Sequence, residues 1–509
     1  MTRTAATEAS SAPAADSPAA ADSSPPADVA AAAAAPTPPD ASAAGATPAG
    51  ATPAASSADA AGGASAPDAA AAGRLGRVVR GVAVVAALAA VIIAVGGVLG
   101  HRDTPSTPEA AAPAPKRDSS AALDASISST QERLRRLPHD YVAWAALGGA
   151  YLEKSRITAD PTWYAKSQGA LQRSLKERPN PNPAALTGLG ALANARHDFA
   201  TARTHALAAL KQNPYSADAY GVLADAETQL GHADAATAAV QHMLDLRPAL
   251  AAYTRASYDL EQHGKNTEAA ALMRQALTSA VDPADVAFCR YQLGELAWNS
   301  GDLTAAAREY QAGLAASPDY LPLLQGTAKV ATARGNLNAA ITSYKTLTQR
   351  SPTPGYLLEY AELLQAAGRT AEAGEQLALA DAAGQLFAAN GGSDDLTTVS
   401  LALARGKPTE ALAAAQREWK RRQFADVADA MAQALHANGR DAEALRYTRK
   451  ASALGVRSAR FQYHQGVILA ALGRPTEARR ALSGALALNP HFSPVEAPAA
   501  RRALAELPS

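Results

Sequence analysis

Along the C-terminal two-thirds of the chain, apolar and small residues recur in helical units that short turns separate. Nine residues that end the first half of a unit lie about 34 residues apart. They are His197, Gly231, Gly264, Gly301, Gly335, Gly368, Gly406, Gly439 and Gly473. Alanine stands five residues after each, at Ala202, Ala236, Ala269, Ala306, Ala340, Ala373, Ala411, Ala444 and Ala478. This fixed offset predicts a repeated helix-turn-helix unit.

A second marker, proline, supports the same register. It falls seventeen residues after the turn at Pro214, Pro248, Pro318, Pro352 and Pro490. Pro352 and Pro490 are four periods apart, so the register persists through units that lack the proline. We therefore predict about ten repeats over residues 141–490. The pattern is loosest in the seventh to ninth units, where Gly391 and Gly392 interrupt a lengthened linker and Glu418 occupies a position that usually holds a small residue.

The first unit carries Trp144, Leu147, Gly148 and Tyr151 at the spacing of a known repeat, and later copies carry parts of the same signature, such as Leu293 and Gly294 with Tyr310. In this signature the units resemble tetratricopeptide repeats. The resemblance implies an all-α fold, a right-handed superhelical α-solenoid of helix-turn-helix repeats. It also implies that the first helices line a concave groove, which binds other proteins.

Two short segments are predicted to cap the array, because terminal repeats need a polar outer face. Residues 121–138 carry Leu123, Ile127, Leu134 and Leu137 at helical spacing. Residues 491–509 are expected to form a second capping helix that Pro498 opens and that exposes Arg501, Arg502 and Glu506.

The N-terminal part is different in character. Residues 1–73 are rich in Ala, Pro and Ser, which predicts a disordered tail. Residues 74–102 comprise a basic flank and an uncharged stretch, 81–100, that is long enough for a single transmembrane helix. Residues 103–120 form a Pro- and Ala-rich linker.

Arg74, Arg77 and Arg80 precede the apolar stretch, so the positive-inside rule predicts a cytoplasmic N-terminus and extracytoplasmic repeats at the cell membrane. A cleaved signal peptide is the alternative, because small residues at Ala110 to Ala112 follow the apolar run.

Composition narrows the function. The formal net charge is +0, which does not favour a nucleic-acid partner, and one cysteine excludes an intrachain disulfide. The sequence contains no motif of a hydrolase, a phosphate-binding loop or a metal site, so we predict no enzyme, no cofactor and no metal. An enzymatic centre would have to lie in the loosely patterned seventh to ninth repeats. A basic run around Trp419 ending at Arg422 is interpreted as a solvated helix end, with anionic lipid or polymer binding as the alternative.

The resemblance places certain positions of each first helix in the groove, where aromatic and acidic residues alternate at its middle. The candidate partner-binding residues are Asp225, Tyr258, Glu261, Tyr291, Glu295, Trp298, Lys329 and Glu362. Aromatic anchors beside carboxylates suit a peptide or protein client that carries basic or apolar residues. The sequence thus predicts a membrane-tethered scaffold of the bacterial cell envelope. The alternative is a chaperone-like factor that presents a secreted chain, such as an apocytochrome, to an envelope enzyme.

Overall fold

The computed structural model describes residues 119–508, and this part of the chain consists of 22 α-helices without a β-strand. The helices are α1 Ser119–Arg136, α2 Tyr141–Thr158, α3 Trp163–Glu177, α4 Pro183–Ala195, α5 Phe199–Gln212, α6 Ala217–Leu230, α7 Ala233–Leu246, α8 Leu250–Gln262, α9 Asn266–Ser279, α10 Pro283–Asn299, α11 Leu303–Ala316, α12 Leu321–Ala333, α13 Leu337–Arg350, α14 Pro354–Ala366, α15 Thr370–Ala389, α16 Asp395–Ala404, α17 Pro408–Arg421, α18 Ala425–Ala437, α19 Asp441–Ala451, α20 Ala459–Ala471, α21 Pro475–Leu488 and α22 Glu496–Glu506. The predicted all-α class is confirmed for these residues.

Helices α2 to α21 form ten antiparallel pairs, which we number repeats 1 to 10, and α1 and α22 flank them. Repeats 7 to 9 are helix pairs like the others, despite their looser sequence pattern. Helix α22 begins at Glu496, two residues before Pro498, the residue expected to open it. The first helical turn tolerates proline because its N–H groups have no partner within the helix.

The predicted tail, transmembrane helix at 81–100 and nearly all of the linker lie outside the described residues and stay predictions. Within residues 119–508, no helix combines the length and the apolar composition that crossing a bilayer requires.

The marker alanines explain how the two helices of a repeat pack. All nine, from Ala202 to Ala478, are at most 2% exposed. A methyl group at this position lets the second helix approach the first closely, as ridge-and-groove packing requires. Small residues are needed between neighbouring repeats as well. A Cβ added at Gly326 of α12 would stand 2.5 Å from the ring of Tyr310 on α11. The core is therefore a continuous stack of tightly packed helix pairs.

The array also contacts itself across one turn of its superhelix. The turns inside repeats 2 to 5 meet the loops that follow repeats 7 to 10, an offset of five repeats in each case. We call these contacts the axial seam. Its paired positions are His197 with Ser393, Gly231 with Gln423, Gly264 with Gly455, and Gly301 with Asn489. Repeats 7 to 10 therefore lie against repeats 2 to 5.

Main-chain groups form part of the seam. Ser393 N–H donates to the Arg196 carbonyl at 3.1 Å, and Gln423 N–H donates to the Leu230 carbonyl at 3.4 Å. The Asn489 amide donates to the Trp298 carbonyl at 2.8 Å. These bonds satisfy carbonyls at the ends of first helices, which lack partners within the helix.

Glycine is needed twice at the seam turns. Gly231 has φ +83°, a conformation that L side chains rarely adopt, and a Cβ there would stand 2.5 Å from the Gln423 carbonyl oxygen. Gly335 occupies the same position in repeat 6 with φ +79°, but a Cβ there would meet nothing within 4 Å. Comparing substitutions at the two glycines therefore separates the cost of the left-handed backbone from the cost of disrupting the seam contact.

This difference predicts unequal effects of alanine at the two turns. Gly335→Ala should destabilise the protein by roughly 1–2 kcal/mol, the usual penalty for a left-handed backbone. Gly231→Ala should cost at least about 1 kcal/mol more, because the added methyl collides with the second turn. Urea unfolding of the full-length chain, followed by circular dichroism, measures both. Equal losses would show that the seam does not contribute to stability.

Candidate ligand-binding cavity

A cavity of about 360 Å³ lies inside the superhelix and is open to solvent. One wall comes from the first helices of repeats 4 to 7, that is from α8, α10, α12 and α14. The other comes from α18, α20 and the loops that follow repeats 9 and 10. The seam holds repeats 9 and 10 against repeats 4 and 5, and repeats 6 and 7 complete the cavity that this contact encloses.

Four of the eight sequence-predicted residues line this cavity, namely Glu261, Trp298, Lys329 and Glu362. The remaining four do not line it. Asp225 is buried and accepts two hydrogen bonds from the Arg255 guanidinium at 2.9 Å, so its carboxylate is fully engaged. Tyr291 is buried and its hydroxyl donates to Gln325 Oε1 at 3.3 Å.

Glu295 does not line the cavity, but its carboxylate binds Lys329, another of the predicted residues. Lys329 Nζ donates to the two Glu295 carboxylate oxygens at 2.9 and 2.7 Å, and it lies 5.0 Å from the centroid of the Trp298 ring. The Tyr310 hydroxyl donates to the same carboxylate at 2.6 Å. A carboxylate and an aromatic face together thus bind this ammonium group.

Glu362 of repeat 7 is bound by residues of repeat 10 and of the loop that follows it. Arg460 donates to Glu362 at 3.0 Å and to Glu496 of α22 at 2.7 Å. The Ser493 hydroxyl donates to Glu362 at 2.5 Å. Burial would lower the pKa of Arg460, but the charges of Glu496 and Glu362 raise it above its ordinary value. One guanidinium therefore links repeat 7 to the C-terminal cap.

His464 extends this network. Its Nδ1 lies 2.9 Å from both Asp429 carboxylate oxygens, and its Nε2 lies 3.2 Å from Glu496. Burial would lower the pKa of His464, but the charge of Asp429 and the hydrogen bonds raise it to about 9. Burial would likewise raise the pKa of Glu496, but Arg460 and His464 lower it to about 2. The imidazolium is thus an ion-pair partner at neutral pH.

Glu261 and Asp426 face the cavity from opposite walls. Glu261 accepts one hydrogen bond, from the Asn299 amide at 3.2 Å. Burial raises its pKa to about 7, with a contribution from the charges of Glu295 and Asp426. Desolvation by the cavity walls and the charge of Asp429 raise the pKa of Asp426, although its side chain is exposed within the cavity. Burial raises the pKa of the nearby Tyr258 hydroxyl, and the charges of Asp426 and Glu261 raise it further.

Sequence reasoning missed the whole second wall, including Asp426, Arg460, His464 and Glu496. Their place inside the superhelix depends on the rotation accumulated over five repeats, which a repeat signature does not encode. Glu418 was a signal in the sequence that could have indicated a covered surface in repeat 8. It is buried within repeat 8, where a small residue is usual, and it binds Arg421 and Arg422.

The basic run is correspondingly not a solvated helix end throughout. Arg422 is buried, and its guanidinium donates to Gln229 Oε1 across the seam as well as to Glu418. Arg417 and Arg421 both pair with Asp395. The interpretation as a fully solvated run was wrong for Arg422, because repeats 2 and 3 of the first superhelical turn cover it.

A family model described as tetratricopeptide repeat matches residues 254–320 and 430–491. The match supports a tetratricopeptide-repeat protein. The two matched stretches correspond to repeats 4–5 and 9–10, so the matched repeats face each other across the cavity. The comparison with curated proteins gives no match.

Several solved structures are similar at low identity. Human IFIT1 in a dimer with PPP-AAAA is 14% identical, covers 72% of this chain and 86% of its own, and has a TM-score of 0.42. PilW, a type IV pilus biogenesis factor, is 22% identical over 40% of this chain and 94% of its own, with a TM-score of 0.34. A thermophilic tetratricopeptide-repeat protein of Thermus thermophilus is 21% identical over 38% and 98%, with a TM-score of 0.33. These similarities are too distant to transfer a partner.

The His464 network generates a pH-dependent prediction. The pKa of His464 is raised from 6.5 to about 9 by folding, so its stabilising contribution is complete below pH 6.5 and disappears as the pH rises through about 9. His464→Gln should therefore lower the free energy of unfolding at pH 6 by on the order of 3 kcal/mol. The loss should shrink above pH 9.

Urea titrations at pH 6 and pH 10 measure this effect. His242→Gln is the matched control, because His242 is exposed and should give the same small change at both pH values. An effect of His464→Gln that is independent of pH would refute the ion-pair role and leave only a packing role.

Proposed function

We propose that this chain is a membrane-tethered, non-catalytic scaffold that binds a protein or peptide client in the cavity between its two superhelical turns. The observation that carries the proposal is the cavity itself, which brings together Glu261, Trp298, Lys329 and Glu362. Its open, mixed aromatic and charged lining suits a segment of polypeptide.

The contributions of the cavity residues to such binding differ. Phe461 supplies the accessible rigid aromatic surface, which contributes to binding at a low cost in conformational entropy. Trp298 and Tyr344 also line the cavity but are only 7% and 4% exposed. Lys329 and Arg460 are already paired with carboxylates, so their charges serve mainly to hold the walls together. The unpaired polar groups of the lining are therefore the ones available to a client.

The tether is proposed from residues 74–102. The uncharged stretch 81–100 is long enough to span a bilayer, and Arg74, Arg77 and Arg80 favour a cytoplasmic N-terminus. Clients of the repeats would then be secreted or envelope proteins of a bacterium.

Photo-crosslinking tests client binding in the cavity. We expect benzoylphenylalanine at Phe461, which lines the cavity, to capture a defined partner in intact cells. The same group at Tyr215, whose side chain is 79% exposed outside the cavity, is the matched control and should capture nothing specific. The second substitution Thr332→Phe narrows the cavity and should abolish the adduct. Equal adducts from both positions, or adducts that persist with Thr332→Phe, would contradict the proposal.

Protease treatment of intact spheroplasts tests the topology. One tag precedes the N-terminal tail and another follows Ser509. We expect the C-terminal tag to be digested and the N-terminal tag to survive, because the repeats are proposed to lie outside the membrane. Protection of the C-terminal tag with loss of the N-terminal one would reverse the orientation and move the search for clients to the cytoplasm.

A further inference from the structure

The interior of the superhelix has more carboxylates than cations, although the whole chain has a formal net charge of +0. The carboxylates are Glu261, Glu295, Glu359, Glu362, Asp426, Asp429 and Glu496. The cations are Lys329, Arg457, Arg460 and the imidazolium of His464. Negative charge gathered between low-dielectric walls attracts a cationic ligand.

Two interior sites are already occupied by cations of the chain itself. Lys329 lies on Glu295 and against the Trp298 ring. Arg460 lies between Glu362 of repeat 7 and Glu496 of the C-terminal cap. The second of these sites shows that a carboxylate pair from two separate parts of the superhelix binds a guanidinium in this interior.

Glu261 of repeat 4 and Asp426 of repeat 9 form a second pair of carboxylates, and it lacks a cation. Within residues 119–508, Asp426 makes no hydrogen bond or ion pair, and Glu261 accepts only from the Asn299 amide. Arg422, the one cation that lowers the pKa of Asp426, is itself buried and paired with Glu418. Arg457 lines the cavity but forms an ion pair with neither carboxylate.

The two carboxylates line one cavity from opposite walls, so their like charges are brought together there. Burial raises the pKa of Glu261 to about 7, and the charge of Asp426 contributes to this shift. A cation between the walls would favour both ionised forms. Asp426 is nevertheless exposed within the open cavity, so a ligand can reach it.

A metal ion is a poor fit for this pair. In the described part of the chain, no group of three or more His, Cys, Asp or Glu side chains is placed to hold one. An organic cation needs fewer carboxylates, because its N–H groups form charge-assisted hydrogen bonds in fixed directions.

We propose that Glu261 and Asp426 bind a guanidinium or ammonium group carried by a side chain of the client. This proposal rests on the proposed function, since it places the client in the cavity, and it states which residue type the cavity selects. Arginine fits best, because its planar fork can engage carboxylates on both walls at once, as Arg460 does.

Calorimetric titration of the full-length chain in detergent at pH 8 tests the site. The probes are acetyl-Gly-Ala-Gly-Arg-Gly-Ala-Gly-amide, the same peptide with Gln in place of Arg, and spermidine. The wild-type protein should bind the arginine peptide at least about tenfold more tightly than the glutamine peptide, since charge-assisted hydrogen bonds give that order of selectivity. The Glu261→Gln/Asp426→Asn double variant should lose this selectivity. Glu375→Gln, at an exposed acid outside the cavity, should keep it.

A second measurement shows that the double variant is folded. Its thermal midpoint at pH 8 should not fall below that of the wild-type protein, because neither carboxylate has an ion pair to lose among residues 119–508 and a glutamine at position 261 can still accept from the Asn299 amide. A purely structural role of the two carboxylates would lower the midpoint instead and would overturn the proposal.

The remaining outcomes are decisive as well. Equal binding of the two peptides, or no binding of the arginine peptide, would overturn the cation site. Binding of spermidine without the arginine peptide would overturn the assignment to a client side chain. Adducts from Phe461 that persist in the double variant would refute the cation site while leaving the client proposal intact. Arginine selectivity without any client adduct would refute the client proposal while leaving the cation site intact.

Discussion

The contact between superhelical turns is the constraint on which the rest of this structure depends. In a solenoid each repeat ordinarily touches only its neighbours. Here the turns of repeats 2 to 5 also meet the loops after repeats 7 to 10, with Gly231 against Gln423 as the clearest case. This axial seam brings α8 to α14 opposite α18 and α20, so the cavity exists only because the array closes on itself.

The seam and the repeats are held by different kinds of interaction. Within the stack, alanines such as Ala202 and Ala306 are fully buried, and tight apolar packing stabilises each helix pair. The seam relies instead on main-chain hydrogen bonds and on side-chain hydrogen bonds such as that from the buried Arg422 to Gln229.

The sequence was sufficient to predict the repeats but not the contacts between repeats that are five units apart. Its fixed offsets predicted the helix pairs and placed Glu261, Trp298, Lys329 and Glu362 on a common surface, since position within a repeat determines which face a residue occupies. The opposite wall depends on small rotations summed over five repeats, so no local pattern could indicate Asp426 or Arg460. Yet the departures from the pattern were informative: His197, the Gly391–Gly392 linker and Glu418 all lie at or beside the seam.

Charge in the interior follows from the same closure. Carboxylates that would face water in an open groove are brought together when the second turn covers the first, and each must then find a cation or hold a proton. Arg460 and Lys329 satisfy part of this requirement from within the chain. The pair of Glu261 and Asp426 does not receive such a partner, and its like charges oppose the approach of the two walls. Closure of the superhelix and the proposed selection of a basic client therefore depend on one electrostatic balance: a guanidinium in the cavity would also strengthen the contact between the turns.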